Sequence, residues 1–195
     1  MTVAPERIRE YSDQTVEYVR RALGVAPAYD SDTLPLLDHY LRSVPAQQTA
    51  TAHLVLATAS AYFGETVIHH IGGRWEGSGD DATTWRVVLP SGLSFSPAGM
   101  VGAAILRSDA ADLDTRLEAP LRMRSYVEDA MGRMSPVAED DFYSLCGRLD
   151  TLEHVHEVLV AVAAQLAGDA APADEEPEVD DGDDDAPADA PPAVN

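Results

Sequence analysis

Glu65 and His69, four positions apart, and the adjoining His70 form the densest cluster of chemistry-bearing residues in this sequence. On a helix, positions four apart share one face, so Glu65 and His69 could hold a metal together, with His70 beside them. A metal centre needs two or three more ligands, and none stands at a recognisable spacing. The order of the residues is not His-Glu-x-x-His. A buried glutamate hydrogen-bonded to a loop, flanked by surface histidines, accounts for the same letters and is the favoured reading. His154 and His156 diverge by about 200° around a helix, so they form no chelate by themselves. Cys146 stands beside Leu145 and Leu149 on an apolar helix side, which suits an inert thiol better than a nucleophile. Other signatures are missing: no Gly-x-Gly-x-x-Gly after a strand, no P-loop, no Gly-x-Ser-x-Gly and no Cys-x-x-Cys. The run from Ser91 to Ser96 reads as a hairpin strand. The expectation is a protein with no catalytic residue and no cofactor, more plausibly a binding protein than an enzyme.

The segment from Ala61 to Trp75 carries a structural pattern instead. Tyr62, Gly64 and Glu65 lie on a helix; Gly72 and Gly73 break it; Arg74 and Trp75 follow. Gly64 has no side chain, so a neighbouring element can approach closely there. The glycine pair permits a tight reversal. Trp75 can then cover the helix end, and Glu65 and Arg74 are expected to pair and fix the reversal.

The string Ala-Tyr-Phe-Gly-Glu followed by Gly-Gly-Arg-Trp, with the upstream Ser31–Asp38 stretch, resembles a group of small uncharacterised bacterial proteins. Their pattern is Tyr-Leu/Phe-Gly-Glu followed by Gly-Gly-x-Trp. The resemblance spans about Tyr18 to Leu106. It implies a shared fold and, for some relatives, a setting of toxin immunity or interbacterial conflict. No catalytic residue carries over. Phe63 stands where leucine is common, and His69-His70 where arginine is common.

These residues need elements to position them. Pro5 to Leu23 reads as an amphipathic helix with Ile8, Tyr11, Thr15, Tyr18 or Val19, and Leu23 at three- to four-residue spacing, stopped by Gly24. A second helix runs from Asp32 to Ser43, with Leu34, Leu37 and Leu41 on one face. The third, Gln47 to Ile71, is apolar nearly all round, which predicts a central position. The period then changes. Arg74–Glu76 is a strand, Gly77–Asp81 a turn, and Thr84–Leu89 with Gly92–Ser96 a hairpin around Pro90-Ser91. Pro97 opens a helix to about Arg107. Residues 108–118 read as loop with a short helical turn, and Pro120–Met134 as helix. Val137–Leu166 reads as one long helix with Phe142, Leu145, Leu149, Leu152, Val155, Leu159, Val162 and Leu166 in three- and four-residue steps. The acidic run Glu139-Asp140-Asp141 suits its N-terminal dipole. The predicted class is α+β: about six helices around a small antiparallel sheet built from Arg74 to Ser96.

The last 28 residues are of another kind. Residues 168–195 carry eleven acidic groups, five prolines, no basic residue and no aromatic ring. They cannot bury enough apolar surface to offset chain entropy, so a disordered acidic tail is expected beyond a globular domain of residues 1–167. The chain has a formal charge of −21, and the body alone holds −10 of it. That acidity disfavours nucleic acid and anionic membranes and favours a protein partner with a basic surface. All thirteen basic residues are arginine, which removes lysine-based chemistry. The single Cys146, the absence of an apolar leader and the shortness of the apolar runs point to the cytoplasm.

Together these features predict a noncatalytic binding or adaptor protein, accessory to a larger bacterial assembly or of the immunity type. One alternative is a homo-oligomer formed through residues 137–166. The other is a metal protein or enzyme using Glu65, His69 and His70.

Overall fold

The computed structural model describes residues 5–44, 50–77 and 79–169. Within them, seven α-helices surround a three-stranded antiparallel sheet, so the chain is α+β.

Helix α1, Pro5–Leu23, buries Ile8, Ser12, Thr15 and Val19. On its outer side Arg20 and Arg21 both donate to Glu17, at 2.7 and 2.6 Å, and hold that carboxyl below its usual range. Gly24, at φ 78°, ends the helix in the left-handed conformation that a residue without a side chain adopts most easily. Helix α2, Leu34–Leu41, presents Leu34, Leu37 and Leu41 to the core at the expected spacing. It buries Asp38 with them.

Helix α3, Ala50–Ile71, crosses the body with an uninterrupted buried run from Thr58 to Gly64. The expected residues Gln47–Thr49 lie outside the described residues. Thr58, Ser60 and Thr66 are buried hydroxyls within it, and each donates to a carbonyl one turn back, at 3.0, 2.6 and 2.9 Å. Small residues on α3 let α1 and α4 lie close. Yet α4, Pro97–Leu106, is the more completely covered helix: its first eight residues are all buried. The first turns of α3 are covered on one side only: Val55 is buried and Leu54 is exposed.

The sheet has the order β1 (Arg74–Glu76), β2 (Arg86–Val88), β3 (Ser94–Phe95). Trp75 pairs with Val87 and Val87 with Phe95, and these three fill one buried face. The middle strand is shorter than its β-rich sequence predicts. Asp81 accepts from the backbone N–H and the hydroxyl of Thr83, which winds residues 82–84 into a 3-10 turn before β2 can begin. Ser94 also pairs with Glu118, and Arg86 donates to Asp114 at 2.8 Å and to Ser94 at 3.0 Å. The loop 108–118 is thereby tied to the sheet edge.

A 3-10 turn at Leu121–Met123 leads into α5, Arg124–Arg133. The single helix expected over Val137–Leu166 is in fact two, α6 (Glu139–Phe142) and α7 (Leu145–Asp169), which is why there is one helix more than expected. Three features make the break. Ser144 accepts from the N–H of Gly147 at 2.9 Å, Asp38 captures the N–H groups of Leu145 and Cys146, and Gly147 lies against the carbonyl of Asp141. A Cβ at Gly147 would stand 2.1 Å from that oxygen. The acidic run lies in the first turn of short α6, not at the start of the long helix. At its other end α7 continues through Gly168 and Asp169, past the expected tail boundary. The remainder of the expected disordered tail, 170–195, lies outside the described residues. No helix among the described residues is long and apolar enough to cross a membrane.

Candidate functional site

The Tyr62–Trp75 segment closes on itself. The indole of Trp75 lies directly over Gly64, where an added Cβ would stand 2.1 Å from the Trp75 ring. Glu65 accepts the indole N–H at 2.7 Å. Gly72 and Gly73 adopt φ 92° and 134°, and a Cβ at Gly73 would meet the Val88 carbonyl at 2.6 Å. Each glycine in the motif therefore has its own steric or conformational reason. Tyr62 is fully buried, stacks on Tyr29 with ring centroids 4.9 Å apart, and donates its hydroxyl to the Ala28 carbonyl. Burial pushes its pKa up to about 12. The expected Glu65–Arg74 pair does not form. Arg74 points outward to Glu76 at 2.6 Å, because Trp75 takes the glutamate and successive strand residues face opposite ways.

The candidate metal ligands have separate partners. Glu65 serves Trp75, the His69 ring lies 5.6 Å from that of Tyr29, and His70 approaches Glu153 at 3.3 Å. No three His, Cys, Asp or Glu side chains among the described residues are grouped to hold a metal. His156 contacts Ser91 at 2.9 Å, and burial lowers its pKa. The thiol of Cys146 is half-buried and faces Asp38. Burial first, then the carboxylate, pushes its pKa up to about 12, so it has little thiolate to offer.

Two residues outside the candidate cluster hold the start of α7. Asp38 accepts from Leu145 and Cys146 at 2.7 and 3.2 Å. Arg148 is 8% exposed, and its guanidinium lies 4.4 Å from the Phe142 ring centre and 5.6 Å from that of Tyr143. Its Nε has no partner among the described residues, and burial lowers its pKa. An aspartate inside a leucine-rich helix was the available signal for Asp38; Arg148 offered none.

From this anchored start, α7 lies on the body as far as Leu159, which is fully buried. Val162 is half-buried and makes its last contact with the core, and from Ala163 to Gly168 every residue is exposed. Val160 and Leu166 are 47% and 44% exposed, and no residue from Val160 to Gly168 is charged. At 1.5 Å per residue, the end beyond Val162 is roughly 10 Å long.

No family model, curated protein or solved structure matches the chain.

Proposed function

We propose that the protein is a noncatalytic binding or adaptor protein that docks onto a protein partner through the free end of α7 and the acidic stretch behind it. The exposed Val160 and Leu166 on an uncharged, alanine-rich helix carry this reading. Val160 and Leu166 stand about 120° apart around the helix with Ala163 between them, and such a broad apolar side suits a hydrophobic groove. Residues 170–195 follow immediately and bring ten acidic groups and no basic one. A partner that presents an apolar groove with a basic rim satisfies both halves, and the charge of −21 on the whole chain steers toward it. An accessory role in a larger bacterial assembly, or an immunity-type role, uses such an element. We take the compartment to be the cytoplasm, where a lone thiol such as Cys146 stays reduced.

A second copy of the chain is the competing occupant of the same helix end. The two differ in the sign of their salt response. Pairing two chains of charge −21 strengthens as salt screens their repulsion, whereas docking on a basic partner weakens. A metal centre would instead require Glu65, His69 and His70 to leave three separate partners.

The test is capture from a native lysate on the immobilised full chain, on Val160→Asp/Leu166→Asp, and on a chain ending at Asp169. A partner held by the full chain and lost by both variants supports the proposal. A partner held equally by all three contradicts it.

A further inference from the structure

The first turns of α3, the turn at 80–83, the end of α4 and the turn at 110–113 line a cavity of about 480 Å3 that is open to solvent on one side. Its walls are aliphatic, with Leu56 and Ala57 from α3, Ile105 and Leu106 from α4, and Leu113 beyond them. Cavities of this size, apolar with a few polar groups, commonly hold small molecules. The shape is fixed by close contacts. A Cβ at Gly102 would stand 2.4 Å from Leu113 Cδ1, so the 110–113 turn is seated tightly on α4. The loop between α4 and α5 is further tied to the sheet through Asp114 and Arg86, at 2.8 Å.

The charged groups at this cavity are acidic. Asp80, Asp81 and Asp112 line it, and His53 is the other ionisable side chain there among the described residues. Asp80 accepts from Arg7 at 3.2 Å, and Asp81 is occupied with Thr83. The Asp112 carboxylate has no hydrogen-bond or ion-pair partner among the described residues. An anionic ligand would meet the carboxylates of Asp81 and Asp112 at the rim, Asp80 being paired with Arg7, and the −21 of the chain at longer range.

We propose that this cavity binds a small apolar cation, with an alicyclic or aromatic body against the aliphatic walls and an ammonium group beside Asp112. The site is independent of the α7 end, which contributes nothing to its lining. It therefore stands or falls apart from the adaptor reading.

The probes are 1-adamantylamine and 1-adamantanecarboxylate, which share one rigid cage and differ in charge. Each is titrated into the full chain and followed by amide NMR and calorimetry. The expected result is that the amine shifts the amides of Leu56, Ala57, Ala111 and Leu113. It should bind roughly tenfold more tightly than the carboxylate. Asp112→Asn, a surface change, should weaken the amine roughly three- to fivefold. Ala111→Trp, at an exposed position on the lining, should abolish binding while the melting midpoint holds. Equal binding of the two probes overturns the proposal, as does no amide shift or binding that survives Ala111→Trp. An apolar peptide bearing lysine that binds where adamantylamine does not also overturns it, since the cavity would then be a protein-docking site.

Discussion

The carboxylate of Asp38 on α2 accepts the backbone N–H of Leu145 at 2.7 Å, across 107 residues of chain. With Cys146 it satisfies two of the amides that open α7, which no residue within that helix can do. Asp38 is almost completely buried, so its loss leaves those donors unpaired and out of water. Asp38→Ala should lower stability by about 1–3 kcal/mol in urea unfolding. Asp38→Asn, which keeps one acceptor oxygen, should recover part of it. A loss within error for Asp38→Ala would show that water or Ser144 caps the helix instead.

Gly64 and Trp75 form a second close contact, within one short segment. Gly64→Ala puts a methyl group into the indole and should cost on the order of 1–3 kcal/mol, although alanine is the better helix former. In a Trp75→Ala background the same change should cost little or become stabilising. A double-mutant cycle measures this directly. Additive effects would remove the steric account.

Glu65 separates the structural account from the metal account. Glu65→Gln keeps an oxygen for the Trp75 indole and should be tolerated, while Glu65→Ala should lose about 1.5–3 kcal/mol. Added zinc or a chelator should leave the melting midpoint of the parent protein unmoved. A midpoint that rises with zinc, and no longer does so in Glu65→Ala, would restore a metal centre.

Cys146 predicts an alkaline limit. Its pKa is raised from 9.0 to about 12 in the folded state, so the folded thiol keeps a proton that the unfolded chain releases. Its contribution to stability is complete below pH 9 and is lost as pH rises from there toward 12. Cys146→Ala should flatten the decline of the melting midpoint over that window, leaving the share due to Tyr62, which is raised in the same way. An identical alkaline decline in Cys146→Ala would exclude the thiol as a cause.

What could be read from the sequence, and what could not, divides by the range of the interaction. The leucines of α2, the stop at Gly24 and the reversal at Gly72-Gly73 depend on neighbours within a few residues, and spacing reveals them. The role of Gly64 was legible as a need for close approach. Its partner Trp75 lies within the same short segment. Asp38 was invisible as a cap because its partners are on another helix. The apolar steps from Phe142 to Leu166 do continue across the gap between α6 and α7, so periodicity alone joined two helices that Ser144 and Asp38 separate. Arg74 was assigned to Glu65 by proximity, but the alternation of strand side chains turned it to Glu76. The cavity draws on segments spread from residue 52 to residue 113, so no local pattern announces it.

The central claim is that the α7 end and the acidic stretch dock a basic protein partner. Its most direct test is the affinity of the captured partner for the full chain, measured between about 0.05 and 0.3 M salt, where screening changes most. The account predicts a binding constant that falls steeply with salt, and a much shallower fall for a chain ending at Asp169. A binding constant that is flat or rises with salt, or a slope unchanged by that truncation, would contradict it.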